Sequence, residues 1–269
     1  MWDNISVVHL GYGILLSLPI SWLAYWKGAL TISGAITAFG MGTLIFGIGG
    51  WGWAILLITF FLTSSILSRL FLRRKQSLAS QNEKGARRDW VQVLANGGIA
   101  TGCVLLQGLF PHSGMPFLAA SASLAAANAD TWATEIGVLS LKPPRLITNG
   151  RVVERGTSGG VSMLGWLAAC AGSLLIALVG LSFIQSKFPY FVIVWLSGMA
   201  GSLLDSLLGA SVQVIYHCPR CNQNTEKHPL HSCGEKTLYS QGWAWLNNDG
   251  VNLACTGVAA LIAIGLASL

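Results

Sequence analysis

Charged side chains are scarce in this chain. Only 10% of its 269 residues are charged and 53% are apolar, whereas soluble domains carry roughly 25% charged residues. So few charges exclude a soluble globular protein and indicate a membrane protein. The N-terminus also lacks the basic leader of a cleavable signal peptide, carries Asp3 and runs directly into an apolar stretch, which predicts that the first span is retained.

Apolar runs long enough to cross a bilayer fill most of the sequence. About 18 or more residues cross roughly 30 Å of hydrocarbon as a helix. We therefore predict an all-α, polytopic membrane bundle of about eight transmembrane helices, forming a single membrane domain over 1–269. The second run is rich in glycine, so seven spans with that run re-entrant or broken is the alternative. The runs are residues 4–26, 30–49, 51–71, 91–111, 115–138, 160–184, 190–214 and 250–268.

Basic residues are concentrated in three long loops. With eight spans, the loops at 72–89, 139–159 and 215–249 lie on one side of the membrane. The excess of Lys and Arg predicts that this side faces the cytoplasm, in a plasma or photosynthetic membrane. The formal charge of +6 is therefore an orientation signal and gives little support to nucleic-acid binding.

The fifth run ends in a polar decapeptide, residues 128–137. A carboxylate at membrane depth is costly unless it is paired, hydrated or bound to a cation, so Asp130 and Glu135 predict a functional site. At about 100° per residue, Asn128, Thr131 and Glu135 share one helical face and Asp130 points elsewhere. The two acids are therefore predicted to meet different partners. A purely structural acid, paired with a loop cation, is the alternative.

Further acids and amides lie in or beside later runs. Asp205 shares a helical stripe with three glycines, which predicts that it faces a closely packed neighbour. The last run opens with Asn248, Asp249 and Asn252, whose oxygens project from one helix start. Such hard oxygen ligands suit magnesium carried on a nucleotide, although capping of the helix explains one such residue.

Cations and amides also precede and enter the fourth run. Lys84, Arg87 and Arg88 fit both a topology signal and phosphate binding. Gln92 and Asn96 are spaced i, i+4 and continue this polar surface along one helical face. Amides inside lipid favour the binding-site interpretation.

A glycine-rich loop opens the sixth run. The segment 142–145 must leave helix because its two prolines lack backbone donors, and 156–162 then offers free N–H groups and hydroxyls at a helix start. This is a candidate phosphate cradle. It is not a Walker motif, because no Gly-Lys-Ser/Thr follows, and helix capping alone also selects these residue types.

The third loop carries a metal-ligand pattern. Cys218 and Cys221 form a Cys-x-x-Cys pair, and His231 and Cys233 follow within reach. In a reducing cytoplasm this spacing favours a structural zinc site over a disulfide. His228 is the competing imidazole, and a redox pair is the alternative chemistry. We therefore predict a small cytoplasmic Cys/His zinc-binding loop over 215–249.

Several of these segments together resemble a known family. Residues 84–98, 128–137, 142–145, 156–162 and 245–252 are similar to the signatures of the integral-membrane family that includes the phytyl-phosphate kinase of tocopherol and phylloquinone synthesis. The family also has prokaryotic members of uncertain function, some with a similar cysteine-histidine insertion. The resemblance implies an enzyme that transfers the γ-phosphoryl group of CTP, or another nucleoside triphosphate, to phytyl or a related isoprenoid monophosphate.

Under this hypothesis Asp130, Glu135, Asp205 and Asp249 are catalytic, and all of these except Glu135 bind Mg²⁺. Positioning and charge neutralisation then provide most of the rate, because a phosphate acceptor is already a nucleophile. A lipid-phosphate cytidylyltransferase and a proton-coupled secondary transporter are the alternatives. The predicted substrate- and nucleotide-binding residues are Lys84, Arg87, Arg88, Gln92, Asn96, Asn128, Lys142, Arg145, Gly156, Thr157, Ser158, Gly159, Gly160, Asn248 and Asn252.

Overall fold

The computed structural model describes residues 7–70, 87–184 and 187–269. Eight α-helices in these ranges confirm the predicted all-α membrane bundle. They are α1 (Val7–Trp26), α2 (Ile32–Leu44), α3 (Trp51–Leu70), α4 (Trp90–Leu109), α5 (Met115–Gly137), α6 (Met163–Gly180), α7 (Lys187–Ser211) and α8 (Asn248–Ala267). Their order matches the eight apolar runs.

Six helical segments of the described chain are long and apolar enough to cross a membrane. α1 and α5 are not among them. α5 is less apolar because it consists largely of alanine and serine before its polar end. Its small side chains suit its position, since it packs against α3, α4, α6, α7 and α8 in the middle of the bundle.

The glycine-rich second run forms one uninterrupted helical segment. α2 continues into a π-helical turn, Ile45–Gly49, and the segment stops at Gly50, whose φ of +74° favours glycine. The 18 residues from Ile32 to Gly49 extend about 27 Å. This length agrees with the eight-span prediction and not with a broken second run.

The core lies where α5 and α7 cross at small residues. Ala119, Ala122 and Ala125 on α5 are fully or almost fully buried. A Cβ atom at Gly201 on α7 would lie only 2.6 Å from the Cβ of Ala126. The glycine stripe predicted around Asp205 therefore lets α7 approach α5 closely.

The connections on one side of the bundle contact one another. The backbone N–H of Thr31 donates to the carbonyl of Arg88 at 2.9 Å, and the Arg69 guanidinium donates to the carbonyl of Lys27 at 2.6 Å. The second and third basic loops also contact each other, since the Ser158 hydroxyl donates to Glu226. The residues described in all three basic loops lie at this end of the bundle. Residues 71–86 of the first loop lie outside the described residues.

Two small antiparallel sheets stiffen these loops. In the first, β1 (Arg145–Leu146) pairs with β2 (Gly160–Val161). In the second, β3 (Ile215–Cys218) lies between β4 (Gln223–Thr225) and β5 (Leu238–Gln241). These sheets hold the glycine-rich loop and the Cys/His loop at the end of the bundle.

Replacing Gly201 by alanine should destabilise the bundle. The added methyl group meets Ala126 at 2.6 Å and the carbonyl oxygen of Cys255 at 3.1 Å, and overpacking of this kind costs about 1–3 kcal/mol. We expect a lower Tm in detergent, measured by intrinsic fluorescence. Gly102→Ala is the matched control, because a Cβ there meets nothing within 4 Å; equal Tm values for the two variants would contradict the close approach.

Candidate functional site

A cavity of about 460 Å³ opens at the loop end of the bundle. Its wall combines the C-terminal parts of α5 and α7 with the N-terminal ends of α4, α6 and α8 and the adjoining loops. Helix N-termini favour anions. Twelve of the predicted site residues line this cavity: Arg88, Gln92, Asp130, Glu135, Gly156, Thr157, Ser158, Gly159, Gly160, Asp205, Asn248 and Asp249.

Two carboxylates from different helices meet in the cavity wall. Asp130 at the end of α5 and Asp205 on α7 interact directly, and Cys255 of α8 contacts Asp205. The Oδ2 atom of Asp205 is shielded from solvent and has no hydrogen-bond partner among the described residues. Adjacent carboxylates repel unless they share a proton or a cation. Their oxygens are of the hard type that a divalent cation such as Mg²⁺ binds.

The second acid of α5 has other partners. The Ser68 hydroxyl of α3 donates to Oε1 of Glu135 at 2.7 Å, and Arg88 lies close enough to this carboxylate to interact electrostatically. Glu135 is only 5% exposed. Asp130 and Glu135 thus meet different partners, in agreement with their helical phase.

The glycine-rich loop reaches the cavity in a conformation that requires glycine. Gly156 and Gly159 have φ angles of +88° and +76°, in the region that side chains disfavour. A Cβ at Gly159 would lie 2.6 Å from the backbone nitrogen of Ala210 at the end of α7. Ser162 then caps α6, accepting from the N–H of Gly165 at 3.1 Å. Glycine spacing and helix capping are both present in this loop.

The start of α8 supplies further oxygen atoms. Asn247 is the N-cap, and its side chain accepts from the N–H of Gly250 at 3.0 Å. The capping role therefore belongs to Asn247, which directly precedes the predicted residues Asn248 and Asp249. Asn248 and the buried Asp249 line the cavity. Asn252, one turn further along, is not among the lining residues.

Asn128 occupies a structural position. This fully buried residue accepts a hydrogen bond from Thr63 of α3 at 3.0 Å and donates one to the carbonyl of Gly172 in α6 at 2.8 Å. Its amide therefore ties three helices together below the cavity. It is not among the residues that line the cavity, and its role in binding substrate stays a prediction.

Other predicted binding residues also lie outside the cavity lining. Asn96 donates to the carbonyl of Gln92 in its own helix. Arg87 lies over the Tyr25 ring, and Arg145 donates to the carbonyl of Gly150 in its own loop. Lys142 is exposed, and Lys84 lies outside the described residues.

Polar residues that were not predicted to belong to the site also line the cavity, among them Ser68, Arg155, Gln213, Glu226 and Lys227. Arg155 belongs to the basic loop at 139–159. It donates to the carbonyl of Ser140 at 2.8 Å, which fixes it beside the cavity. Glu226 and Lys227 lie in the sequence between the two pairs of metal-ligand candidates. Their position as adjacent charged residues in that segment is the sequence feature that could have indicated them.

The predicted metal ligands form a cluster in the third loop. The donor atoms of Cys218, Cys221, His231 and Cys233 all lie within 4.8 Å of one another. The Cys218 and Cys233 sulfur atoms are 3.6 Å apart, and Nδ1 of His231 lies 3.2 Å from Cys233 Sγ. When ligand atoms lie about 2.0–2.3 Å from a tetrahedral Zn²⁺, the distances between the ligand atoms are close to the two separations in this cluster. The cluster therefore fits a metal ion, and all four cysteine and histidine positions match the prediction.

The competing imidazole lies elsewhere. The His228 ring stacks on Tyr216, with ring centroids 4.3 Å apart, and its Nδ1 lies 3.4 Å from the Thr237 hydroxyl. His231 is therefore the histidine of the cluster. Its hydrogen bond lowers the pKa of the Cys233 thiol to about 6, which favours the thiolate form that metals bind.

Comparison with known proteins identifies relatives over much of the chain. Protein PGR of Arabidopsis thaliana is 35% identical over 185 residues, which is 64% of either protein. An uncharacterized membrane protein of Methanocaldococcus jannaschii is 32% identical over 175 residues, 65% of this chain and 71% of its own length. Chloroplastic protein VTE6 of A. thaliana is 27% identical over 241 residues, 87% of this chain and 64% of VTE6.

The chain thus spans less than two thirds of the length of either plant protein. No solved structure matches it. The family model described as integral membrane protein DUF92 matches residues 15–260, which extend from α1 into α8. The chain therefore belongs to the DUF92 family of integral membrane proteins.

Proposed function

We propose that this protein is a membrane-embedded prenyl-phosphate kinase. It transfers the γ-phosphoryl group of CTP, or of another nucleoside triphosphate, to phytyl or a related isoprenoid monophosphate. One cavity at the loop end of the bundle carries the proposal, because paired carboxylates, a glycine-rich loop, arginines and an apolar wall meet in it. The similarity to VTE6 and the resemblance to the phytyl-phosphate kinase family support these substrates.

The phosphate groups bind on the cationic side of the cavity. Arg88 and Arg155 line it, and the backbone N–H groups of the 156–160 loop are suited to phosphate oxygens. The N-terminal ends of α4, α6 and α8 add their favourable dipoles. Together these groups offset part of the negative charge of a triphosphate and an acceptor phosphate.

Asp130, Asp205 and Asp249 are the residues that would hold Mg²⁺. The cation would neutralise phosphate charge during transfer. Its fit rests on the Asp130–Asp205 contact and on the buried Oδ2 of Asp205. Asp249, at the start of α8, faces the same cavity.

Transfer needs little covalent participation by the protein. An oxygen of the acceptor monophosphate attacks the γ-phosphorus, the bond to the β-phosphate oxygen breaks, and the nucleoside diphosphate leaves. The acceptor oxygen is already anionic, so no general base is needed. Arg88 and Arg155 hold the reacting groups close together, and proximity with charge neutralisation provides the rate.

The apolar wall provides a place for an isoprenoid chain. Trp166 and Ala169 on α6 and Met199 and Leu203 on α7 line the cavity. Trp166 and Leu203 are 42% and 36% exposed, so this wall continues to the outer surface of the bundle. A lipid tail can therefore lie between α6 and α7 while its phosphate occupies the polar side.

The Cys/His cluster is assigned to structural zinc. Four protein ligands complete a tetrahedral site and leave no position for a substrate. The loop that carries them is assigned to the cytoplasmic side because the basic loops share this end of the bundle.

Product formation tests the kinase proposal. Purified protein with Mg²⁺, CTP and phytyl monophosphate should yield phytyl diphosphate, identified by mass spectrometry. Asp130→Asn and Asp249→Asn should each lower kcat by about 10²-fold or more, since each removes charge stabilisation from the transition state.

Glu154→Gln is the matched control, because it makes the same carboxyl-to-amide change outside the cavity lining. A normal rate in either aspartate variant would refute the role of that residue. A lipid product carrying CMP would identify a cytidylyltransferase, and absence of diphosphate where a known homologue is active would reject the kinase.

The preference for isoprenoid tails of a given length should depend on the apolar wall. Leu203→Trp fills part of the space between α6 and α7, so KM should rise several-fold for a C20 monophosphate and little for a C10 one, because volume is lost only where the longer tail lies. The control is Leu207→Trp, one turn further along α7, exposed to 42% and outside the lining. Equal effects of both variants on both substrates would disprove this tail path.

The zinc content of the protein should depend on the four residues of the Cys/His cluster. Elemental analysis of the purified protein is expected to give one zinc per chain, with most of it lost in Cys221→Ala and His231→Ala because an incomplete ligand set binds metal weakly. His228→Ala and Cys170→Ala should retain it, since neither residue belongs to the cluster. Loss of zinc in His228→Ala with retention in His231→Ala would reverse the assignment.

A further inference from the structure

The Cys/His loop contributes Glu226 to the cavity at the loop end of the bundle. Glu226 directly follows β4, which pairs with β3 in register Tyr216↔Thr225 and Cys218↔Gln223. The strand therefore leads from the metal cluster back toward the bundle. Glu226 lines the cavity together with the predicted site residues.

Metal ligands lie on both sides of Glu226 in the sequence. Cys218 and Cys221 precede it and His231 and Cys233 follow it. A metal bound by all four closes the segment between residues 221 and 231 into a loop with fixed ends. Fixing both ends removes conformational freedom from the residues between them, so the cluster determines where Glu226 lies.

Glu226 in turn holds the glycine-rich loop. The Ser158 hydroxyl donates to Oε1 of Glu226 at 2.5 Å, and the Gln213 side-chain amide donates to the same oxygen at 2.7 Å. Gln213 also donates to Ser158 at 3.2 Å and is only 2% exposed. One carboxylate oxygen thus joins the glycine-rich loop, the segment after α7 and the Cys/His loop.

The same carboxylate is close to the paired acids. Glu226 interacts electrostatically with Asp205, which contacts Asp130. A displacement of Glu226 would therefore change both the position of the 156–160 loop and the charge around Asp205.

We propose that Glu226 is a positioning residue, through which the metal cluster of the third loop sets the conformation of the glycine-rich loop. The structural part of this inference is independent of the reaction. Its kinetic part rests on the proposed function.

Hydrogen–deuterium exchange of the full-length protein in detergent tests the structural part. Removing zinc from the wild type with a chelator should speed amide exchange in residues 156–160 by about tenfold, the effect expected when charged hydrogen bonds are lost. Glu226→Ala should produce a similar increase while keeping its zinc. Chelation of Glu226→Ala should then add little, because the connection is already broken.

Three results would overturn the proposal. The first is unchanged exchange of residues 156–160 in Glu226→Ala. The second is an equal effect of chelation on this exchange in the wild type and the variant, and the third is no effect of chelation in the wild type. Ser158→Ala, which removes the hydroxyl that Glu226 accepts from, provides the same comparison if Glu226→Ala is unstable. Glu235→Gln is the control for charge, since this exposed acid of the same loop is not a lining residue.

Kinetics separate positioning from a purely structural role. Glu226→Gln keeps an acceptor oxygen for Ser158 and Gln213, so it should restore slow exchange and most of the wild-type KM for CTP. Glu226→Ala should raise that KM about tenfold, with a smaller change in kcat. If Glu226→Ala leaves the KM for CTP unchanged although exchange responds as expected, the loop does not bind nucleotide. That part of the proposed function is then wrong, while the structural connection stands.

Discussion

The cost of placing carboxylates at the end of a membrane helix is the constraint on which this bundle depends. α5 carries two acids at its last turns, and neither can rely on lipid for solvation. Five helices surround α5, and they provide what lipid cannot. Glu135 has the Ser68 hydroxyl and the nearby Arg88, and Asp130 has a second carboxylate, Asp205, with which it can share a proton or a cation. The small residues along the rest of α5 allow those helices to come close enough.

A second level of organisation holds the loops over this polar end. Backbone conformations at Gly156 and Gly159 let one loop lie directly on the end of α7. The Cys/His cluster brings separate parts of another loop together, and Glu226 connects the two loops. The site is therefore assembled from helix ends that are fixed by packing and loops that are fixed by a few polar contacts.

Features that depend on local pattern could be predicted from the sequence. Run length gave the eight helices, helical phase separated the partners of Asp130 and Glu135, and ligand spacing gave the Cys/His cluster. Contacts between distant segments could not be predicted. An amide in an apolar run looks the same whether it binds substrate or, like Asn128, ties α3 to α6. Glu226 meets Ser158 across 68 residues, and only the folded loops bring them together.

All of the chemistry described lies at one end of the helices. At the opposite end, the part of the chain that the structure describes has short connections, such as residues 110–114. The exposed apolar wall between α6 and α7 meets the bilayer next to that single end. Under the proposed activity, a lipid headgroup enters there from one leaflet and returns to the same leaflet after reaction. The proposed enzyme therefore works on a single monolayer, and neither its substrate nor its product has to cross the hydrocarbon.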